Sequence, residues 1–369
     1  MATGCEINRA FVYDRGGQNR LFEVTFPSRI RWERIRDDIS QANVTILDPN
    51  QGCQDQMLRV APHRHELVIF RGEERVWEGP ITLIGWFQDR IEISAKDVMY
   101  YAQKTVMRAG YDNSFPNIQT TIERSVNILT AELARKESLD PPINVLPYLS
   151  TITTSTDAET SKVTIPYQST AFTDIDDMAR RSGMDYFVIG RRIVLVDTHT
   201  IFSTTPQVTE EDFLAEIVVT QYGSEHATWS ASVSAAGNVG ISFADGAPLG
   251  VDPFYGEWEI VDSAYNEDGT AEPTRDALAQ QADRNVNGRN PVPLHVRVPD
   301  NSLLNPEGVL GIEHLVPGIR VPLRATLLTL EVSQMQKLDR VAVEEVGGQG
   351  EQISITLHPA SISDVPPEE

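Results

Sequence analysis

Alternating apolar and polar positions fill the first ninety-odd residues, and a two-residue period marks strands with one buried face. LFEVTF (21–26) and ANVTIL (42–47) carry β-branched and aromatic residues between turn-forming neighbours. ELVIF, RVWEGPITLIGWF and RIEISA follow as a predicted meander, with turns RGEE and QDR of hairpin length. Gly79-Pro80 interrupts the middle strand. Proline cannot donate to a strand ladder and glycine weakens one. The pair is therefore expected to be a strand kink, a bulge or edge bend in a long strand, with Trp77 packed beside it as core or subunit contact.

The period changes at Ser94. Ser94 and Asp97 resemble a helix start, and Val98, Tyr101, Ala102 and Thr105 then recur at helical spacing. TTIERSVNILTAELARKE predicts a second helix with Ile122, Val126, Leu129 and Leu133 on one face, ended by Pro141-Pro142. Leu149 to Glu159 is polar and Thr-rich and is expected to be a loop. A short strand then leads to a helix near Ala171–Arg181, with Gly183 where a left-handed cap belongs. MDYFVI and RIVLVD flank a Gly190-Arg191 turn, which completes a helix-plus-hairpin unit.

From about Ile201 the chain returns to β. EIVVTQY, ATWSASVS, NVGISFA and GEWEIVDSAY are strand candidates, and PTRDALAQQADRN is a helical insert opened by Pro273. ATLLTLEVSQ, DRVAVEEVG and EQISITLHP close the chain as three strands, with a Gly-rich turn before the last and a mobile tail SDVPPEE. The predicted class is mainly β with α+β insertions. Its divisions are 1–95, an α+β middle over 96–200, and a β-rich 201–369 with the helical insert near 273–287.

Composition narrows the function. The chain has 369 residues and a formal charge of −22, from 53 acidic against 31 basic residues. Such a surface repels nucleic acid and anionic membranes. Cys5 and Cys53 make no disulfide framework, and the absence of a C-x-x-C pair excludes a cysteine zinc site. MATGCEINRA has no apolar signal core, and the longest uncharged stretch is Ser-, Gly- and Ala-rich, so a soluble protein made in a cytoplasm is expected.

Candidate chemistry is sparse. His63 and His65 in PHRHE would share one side of a strand, but only Glu66 lies nearby and it would point the other way, so a polar strand end is the simpler reading. No G-x-S-x-G, Walker or G-x-G-x-x-G motif is present. Asp176-Asp177 and Glu210-Glu211 are pairs that chance supplies in so acidic a chain. No catalytic, metal or cofactor residue is assigned, and no enzyme activity is expected. RIRWERIR gathers Arg29, Arg31, Arg34 and Arg36 around Trp32. Arg and Trp are favoured at subunit contacts, so these residues with Trp77 form the candidate subunit interface, ahead of a solvated face and a nucleic-acid patch.

The layout resembles that of actinobacteriophage minor tail proteins, related to the hub proteins of phage baseplates and the type VI secretion spike base. RIRWERIRDDISQANVTIL followed by RVWEGPI and RIEISAKDVMYYAQKTVM carries the first likeness. STAFTDIDDMARRSGMDYFVIGRRIVLVD, with its G-R-R turn, carries the second, and LVPGIRVPLRA with TLLTLEVSQ, RVAVEEV and QISITLHP the third. The resemblance implies a siphophage tail-tip hub: barrel-like tube domains at 1–95 and 201–369, with the α+β domain outside. It further implies a homotrimer whose pseudo-sixfold ring joins the tail tube or distal tail protein to the tip. Tape measure protein, other minor tail or receptor-binding proteins and passing DNA are the implied partners. A receptor- or carbohydrate-binding tail protein is the alternative, with Trp229, Phe254, Tyr255 and Trp258 as its aromatic platform.

Overall fold

The computed structural model describes residues 8–112, 119–153, 163–182, 184–197, 204–234, 236–264, 275–286, 289–292, 294–347 and 350–360. Cys5, the Gly183 cap, Pro273, most of the Thr-rich loop, the centre of the Gly-rich turn and the SDVPPEE tail lie outside them. The chain is mainly β with α+β insertions, as its periodicity predicts. In order come β1 (Asn8–Asp14), β2 (Arg20–Glu23), β3 (Arg29–Ile35), β4 (Gln41–Leu47), α1 (Gln51–Met57), β5 (His65–Arg71), β6 (Glu74–Trp86) and β7 (Arg90–Lys96). Then follow α2 (Tyr100–Gln103), α3 (Thr121–Glu137), β8 (Ser150–Ile152), α4 (Ala171–Ser182), β9 (Met184–Ile189), β10 (Arg192–Asp197) and β11 (Val208–Thr209). Next are β12 (Val218–Gln221), β13 (Trp229–Ser234), β14 (Val239–Phe243), β15 (Glu259–Ala264), α5 (Arg275–Val286) and β16 (Leu294–Arg297). β17 (Ser302–Leu303), β18 (Arg320–Leu327), β19 (Leu330–Val346) and β20 (Gly350–Pro359) complete the chain.

Two compact units emerge. The first is Met1–Glu216 with Val298–Pro322 and Gln336–His358; the second is Ile217–Arg297 with Leu323–Met335 and Pro359–Glu369. The largest sheet runs β11-β18-β19-β3-β4-β7-β6-β5-β1-β2, with β20 pairing β19 and β17. This path coils back on itself in the first unit. Asn8 of β1 accepts from the Trp32 indole of β3 and donates to Glu345 of β19, although β1 and β19 are far apart along the sheet. Alternation is plain where one face is covered: Ala42, Val44 and Ile46 of β4 are buried while Gln41, Asn43 and Leu47 are exposed. It vanishes in β6, where Val76 to Ile81 are all buried because both faces are covered.

Gly79-Pro80 marks a change of partner. Glu74 to Pro80 pair with β5, and Ile81 to Trp86 pair with β7. The register breaks fall to either side, between Ile69 and Phe70 on β5 and between Ile81 and Leu83 on β6. Glycine is required at the hand-over itself, since a Cβ on residue 79 would lie 1.9 Å from the Lys96 carbonyl oxygen.

The α+β part of this unit is a hairpin with two packed helices. α3 opens on a capping box, Thr120 accepting from the Glu123 amide and Glu123 from the Thr120 amide, and buries Ile122, Leu129 and Leu133. α4 adds Ile175 and Met178, and the β9–β10 hairpin turns at Gly190, whose φ is +56°.

Three local expectations change, and one helix is new. No helix starts at Ser94, because β7 continues to Lys96 and Ser94 stays paired with Asn43 and Leu83; the helix is the short α2. The predicted loop after Leu149 includes β8, held by parallel pairing to Val194–Val196. At the end of the chain, Leu328 takes φ +56° and the chain reverses there, so ATLLTLEVSQ spans a hairpin turn and its second half runs on through DRVAVEEV as one strand, Leu330–Val346. α1 had no periodic signal; Asn50 caps it by accepting from the Cys53 amide.

In the second unit, α5 packs on a sheet ordered β14-β13-β15, and β12 pairs with β16. Among the described residues no helix is long and apolar enough to cross a membrane.

Candidate functional site

Alternation splits the arginine strand β3, the candidate subunit surface, between two faces. Trp32 is fully buried, its indole donating to Asn8 Oδ1. Arg34 lies on the same inner face, stacked 5.0 Å from the Trp32 ring, and donates to the Val76 and Leu315 carbonyls. Burial pushes the Arg34 guanidinium down to about 10, so it remains charged at neutral pH. Trp77 is also buried and donates to Ser40 Oγ at 3.1 Å. Arg36, just past the strand, binds Asp339 at 2.8 Å and Asp185 at 3.0 Å. Burial opposes the Arg36 charge, but Asp185 and Asp339 outweigh it and its pKa is raised. These four side chains therefore spend their contacts inside the chain. Arg29, paired with Glu344 at 2.8 Å, and Arg31 are the members left on the surface.

Around Arg36 the first unit concentrates charge. Lys337 meets Asp185 at 2.6 Å, His358 meets Asp339, and Asp37 accepts from the Tyr186 amide. Burial first, and then the neighbouring Asp185, raises the Asp37 pKa. The cluster ties β3 to β9 and β19, which lie far apart in sequence.

A second buried network centres on Glu66 of β5 and Arg191 of the β9–β10 turn. Arg191 Nη1 donates to Glu66 Oε2 at 2.7 Å and Nη2 to Oε1 at 3.0 Å. Arg191 also donates to the Ile143 and Asn144 carbonyls. Tyr101 and the Gly16 amide add donors to Glu66 Oε1, at 2.5 and 3.0 Å. Glu78 sits 3.6 Å from Arg191 and accepts from Arg75 at 3.2 Å. Burial raises the Glu78 pKa, against the opposing pull of Arg191 and Arg75. Two buried carboxylates thus face the buried Arg191, and the exposed Arg75 reaches Glu78 from the surface. The Gly190-Arg191-Arg192 turn is visible in the sequence, but nothing local assigns Arg191 a contact. Glu66 did have a signal: it is a charged residue within the apolar run ELVIF.

Asp97 is buried, and among the described residues no cation pairs with it. It accepts from the Ser40 amide and hydroxyl, both at 2.6 Å, and from the Met99 amide at 2.9 Å, while burial pushes it up to about 7. The PHRHE histidines do not share a strand face. His63 has φ +66° in the turn before β5, edge-on to Tyr100, and His65 Nδ1 accepts from the Ala61 amide. Among the described residues, no group of three or more His, Cys, Asp or Glu side chains is placed to hold a metal. Asp176 is engaged by Arg180 and by the Tyr186 hydroxyl.

In the second unit, three of the four aromatic candidates cluster. Phe254 and Tyr255 are edge-on at 4.9 Å, and Trp258 donates to the Tyr255 carbonyl. Asp252 holds this turn by accepting from the Phe254 and Tyr255 amides, and Phe254 is 86% exposed. Trp229 lies in β13 under Gly250.

No protein-family model matches the sequence, and no curated protein sequence matches it. Solved structures do match over nearly the whole chain. The 43 kDa tail protein of prophage MuSo2 from Shewanella oneidensis has a TM-score of 0.59 at 12% identity, covering 97% of this chain and 99% of that one. Prophage tail protein gp18 from Listeria monocytogenes gives 0.58 at 10% identity, covering 94% of each. A chain of the half-lidded Francisella PdpA–VgrG complex gives 0.51 at 8% identity, covering 98% of this chain and 59% of that one. The chain therefore shares the fold of these structures.

Proposed function

We propose that this chain is a structural virion protein, the tail-tip or baseplate hub of a long-tailed phage. The observation that carries the reading is the fold likeness to the MuSo2 tail protein, which spans 97% of one chain and 99% of the other. In this reading, copies form a ring, as a homotrimer, between the tail tube or distal tail protein and the tip. The ring is part of the channel for tape measure protein and DNA. In this reading residues 1–95 and 201–369 supply the tube domains, with 96–200 outside. Arg29 and Arg31 remain the surface cations of β3 for a subunit contact. The formal charge of −22 suits a channel that lets DNA pass without holding it. A channel found to be lined by Lys and Arg would remove that part of the reading.

Immunogold labelling of intact virions tests the assignment. Label confined to the tail tip is expected, and label along the tail shaft or on the capsid would sink it. The exposed Phe254 favours a second role in attachment through an aromatic platform. Binding of the purified chain to a glycan array would support it.

A further inference from the structure

In the first unit, the β9–β10 hairpin meets the coiled sheet through a joint made of charges. Asp37, in the β3–β4 turn at φ +57°, forms a two-way bridge with Tyr186 of β9. Its amide donates to the Tyr186 carbonyl at 2.8 Å, and its Oδ1 accepts from the Tyr186 amide at 2.9 Å. Beside this bridge Arg36 spans three carboxylates: Asp37 at 3.3 Å, Asp185 of β9 at 3.0 Å and Asp339 of β19 at 2.8 Å. Lys337 of β19 is the second cation, on Asp185 at 2.6 Å. Asp185 and Lys337 are both buried, so the joint is largely withdrawn from bulk water.

Its charges do not balance. Among the described ion pairs of the joint, Asp37, Asp185 and Asp339 face Arg36 and Lys337, three carboxylates against two permanent cations. His358 of β20 reaches Asp339, but its side chain is 59% exposed and is positive only when protonated. The described surroundings supply no further cation. Asp38 in the same turn is exposed and negative, and Arg180 of α4 is committed to Asp176, which also accepts from the Tyr186 hydroxyl. Arg340 of β19 is committed to Glu33. One proton therefore completes the joint. Asp37 is built to take it: the Tyr186 amide occupies Oδ1 and leaves Oδ2, and burial with the neighbouring Asp185 raises its pKa to about 7.

We propose that Asp37 is a proton-controlled latch between the coiled sheet and the β9–β10 hairpin. Protonated, it closes a neutral joint; ionised, it leaves one uncompensated negative charge in a poorly solvated place, which loosens β9 from the β3–β4 turn. The sign follows from linkage. The folded pKa lies above the ordinary carboxylate value near 3.8, so the closed joint holds a proton that the open one releases. The latch is therefore tight in mild acid and weakens as pH rises through 7. His358 acts in the same sense at the exposed rim, where its protonated form pairs with Asp339. The inference concerns the single chain and stands apart from the hub reading.

Hydrogen exchange on the full chain tests it, read residue by residue as protection factors so that the intrinsic pH dependence of exchange is removed. Between pH 6 and pH 8 the Asp37 and Tyr186 amides should lose about tenfold in protection relative to the amides of β4, the linkage of one proton with a pKa near 7. That comparison needs no variant. In Asp37→Asn, whose side-chain oxygen can still accept from the Tyr186 amide, the loss at Tyr186 should vanish, whereas His358→Gln should keep it. Far-UV circular dichroism checks that both variants are folded. Relative protection that does not change with pH in the wild type overturns the latch. So does a loss that a folded Asp37→Asn retains, or one that His358→Gln abolishes.

Discussion

Arg191 and Glu66 form a two-bonded ion pair at 2.7 and 3.0 Å, with their side chains 4% and 0% exposed. They stand 125 residues apart and join the turn of the β9–β10 hairpin to strand β5. Removing one partner leaves the other charge buried and unpaired, which costs about 3–5 kcal/mol. Arg191→Met is expected to lower stability by that amount in denaturant titration, and Glu66→Gln/Arg191→Met by less than the sum of the two single changes. Additive losses would mean that the pair does not act as a unit.

The Asp97 carboxyl predicts a pH dependence. Burial raises its folded pKa to about 7, above the ordinary carboxylate value near 3.8. The folded state therefore holds a proton that the unfolded state releases, and the associated stability is full below about pH 4 and lost as pH rises through 7. Asp37, also raised, acts in the same direction. The urea midpoint is expected to be higher at pH 6 than at pH 8, with a smaller difference in Asp97→Asn. An equal difference in wild type and variant would clear Asp97 of the effect.

Gly79→Ala is a steric test of the strand hand-over. The added methyl meets the Lys96 carbonyl and Asp97 Cα, which are backbone atoms with little room to move. A loss of about 3 kcal/mol or more is expected, at or above the upper end of ordinary overpacking. Gly72→Ala, with open space but φ +60°, should lose only about 1 kcal/mol. Comparable midpoints for the two variants would refute close packing at residue 79.

Leu328 is fully exposed at φ +56°, so it costs conformational energy and gains no burial within the chain. Leu328→Asn is expected to be stabilising by about 0.5–1 kcal/mol, because asparagine tolerates this conformation better. Thermal melts of the two proteins decide it, and a lower melting temperature for the variant would show that the leucine makes contacts in the free chain.

Strand and helix positions were legible wherever one face is covered and the other wet. MDYFVI and RIVLVD became β9 and β10 at the predicted residues, and the α3 face was readable from Ile122, Leu129 and Leu133. Legibility failed for two reasons. Ser94 carries a helix-start signal that the pairing of β7 overrides, and the reversal at Leu328 has no local turn chemistry. Tertiary pairing energy outweighs local preference at both places.

The amino-acid order by itself determined the β-rich class, the helix-plus-hairpin unit and the acidic balance, because these follow from local periodicity and composition. It also flagged Gly79-Pro80 as a break. Only the tertiary structure decided what the break is for: β6 exchanges one neighbour for another there, beneath the backbone of Lys96. The same holds for the arginines of β3. Their clustering is visible in one dimension, but burial depends on which strands lie against them. Asn8, Asp185 and Asp339, all distant in the chain, turn Trp32 and Arg36 inward.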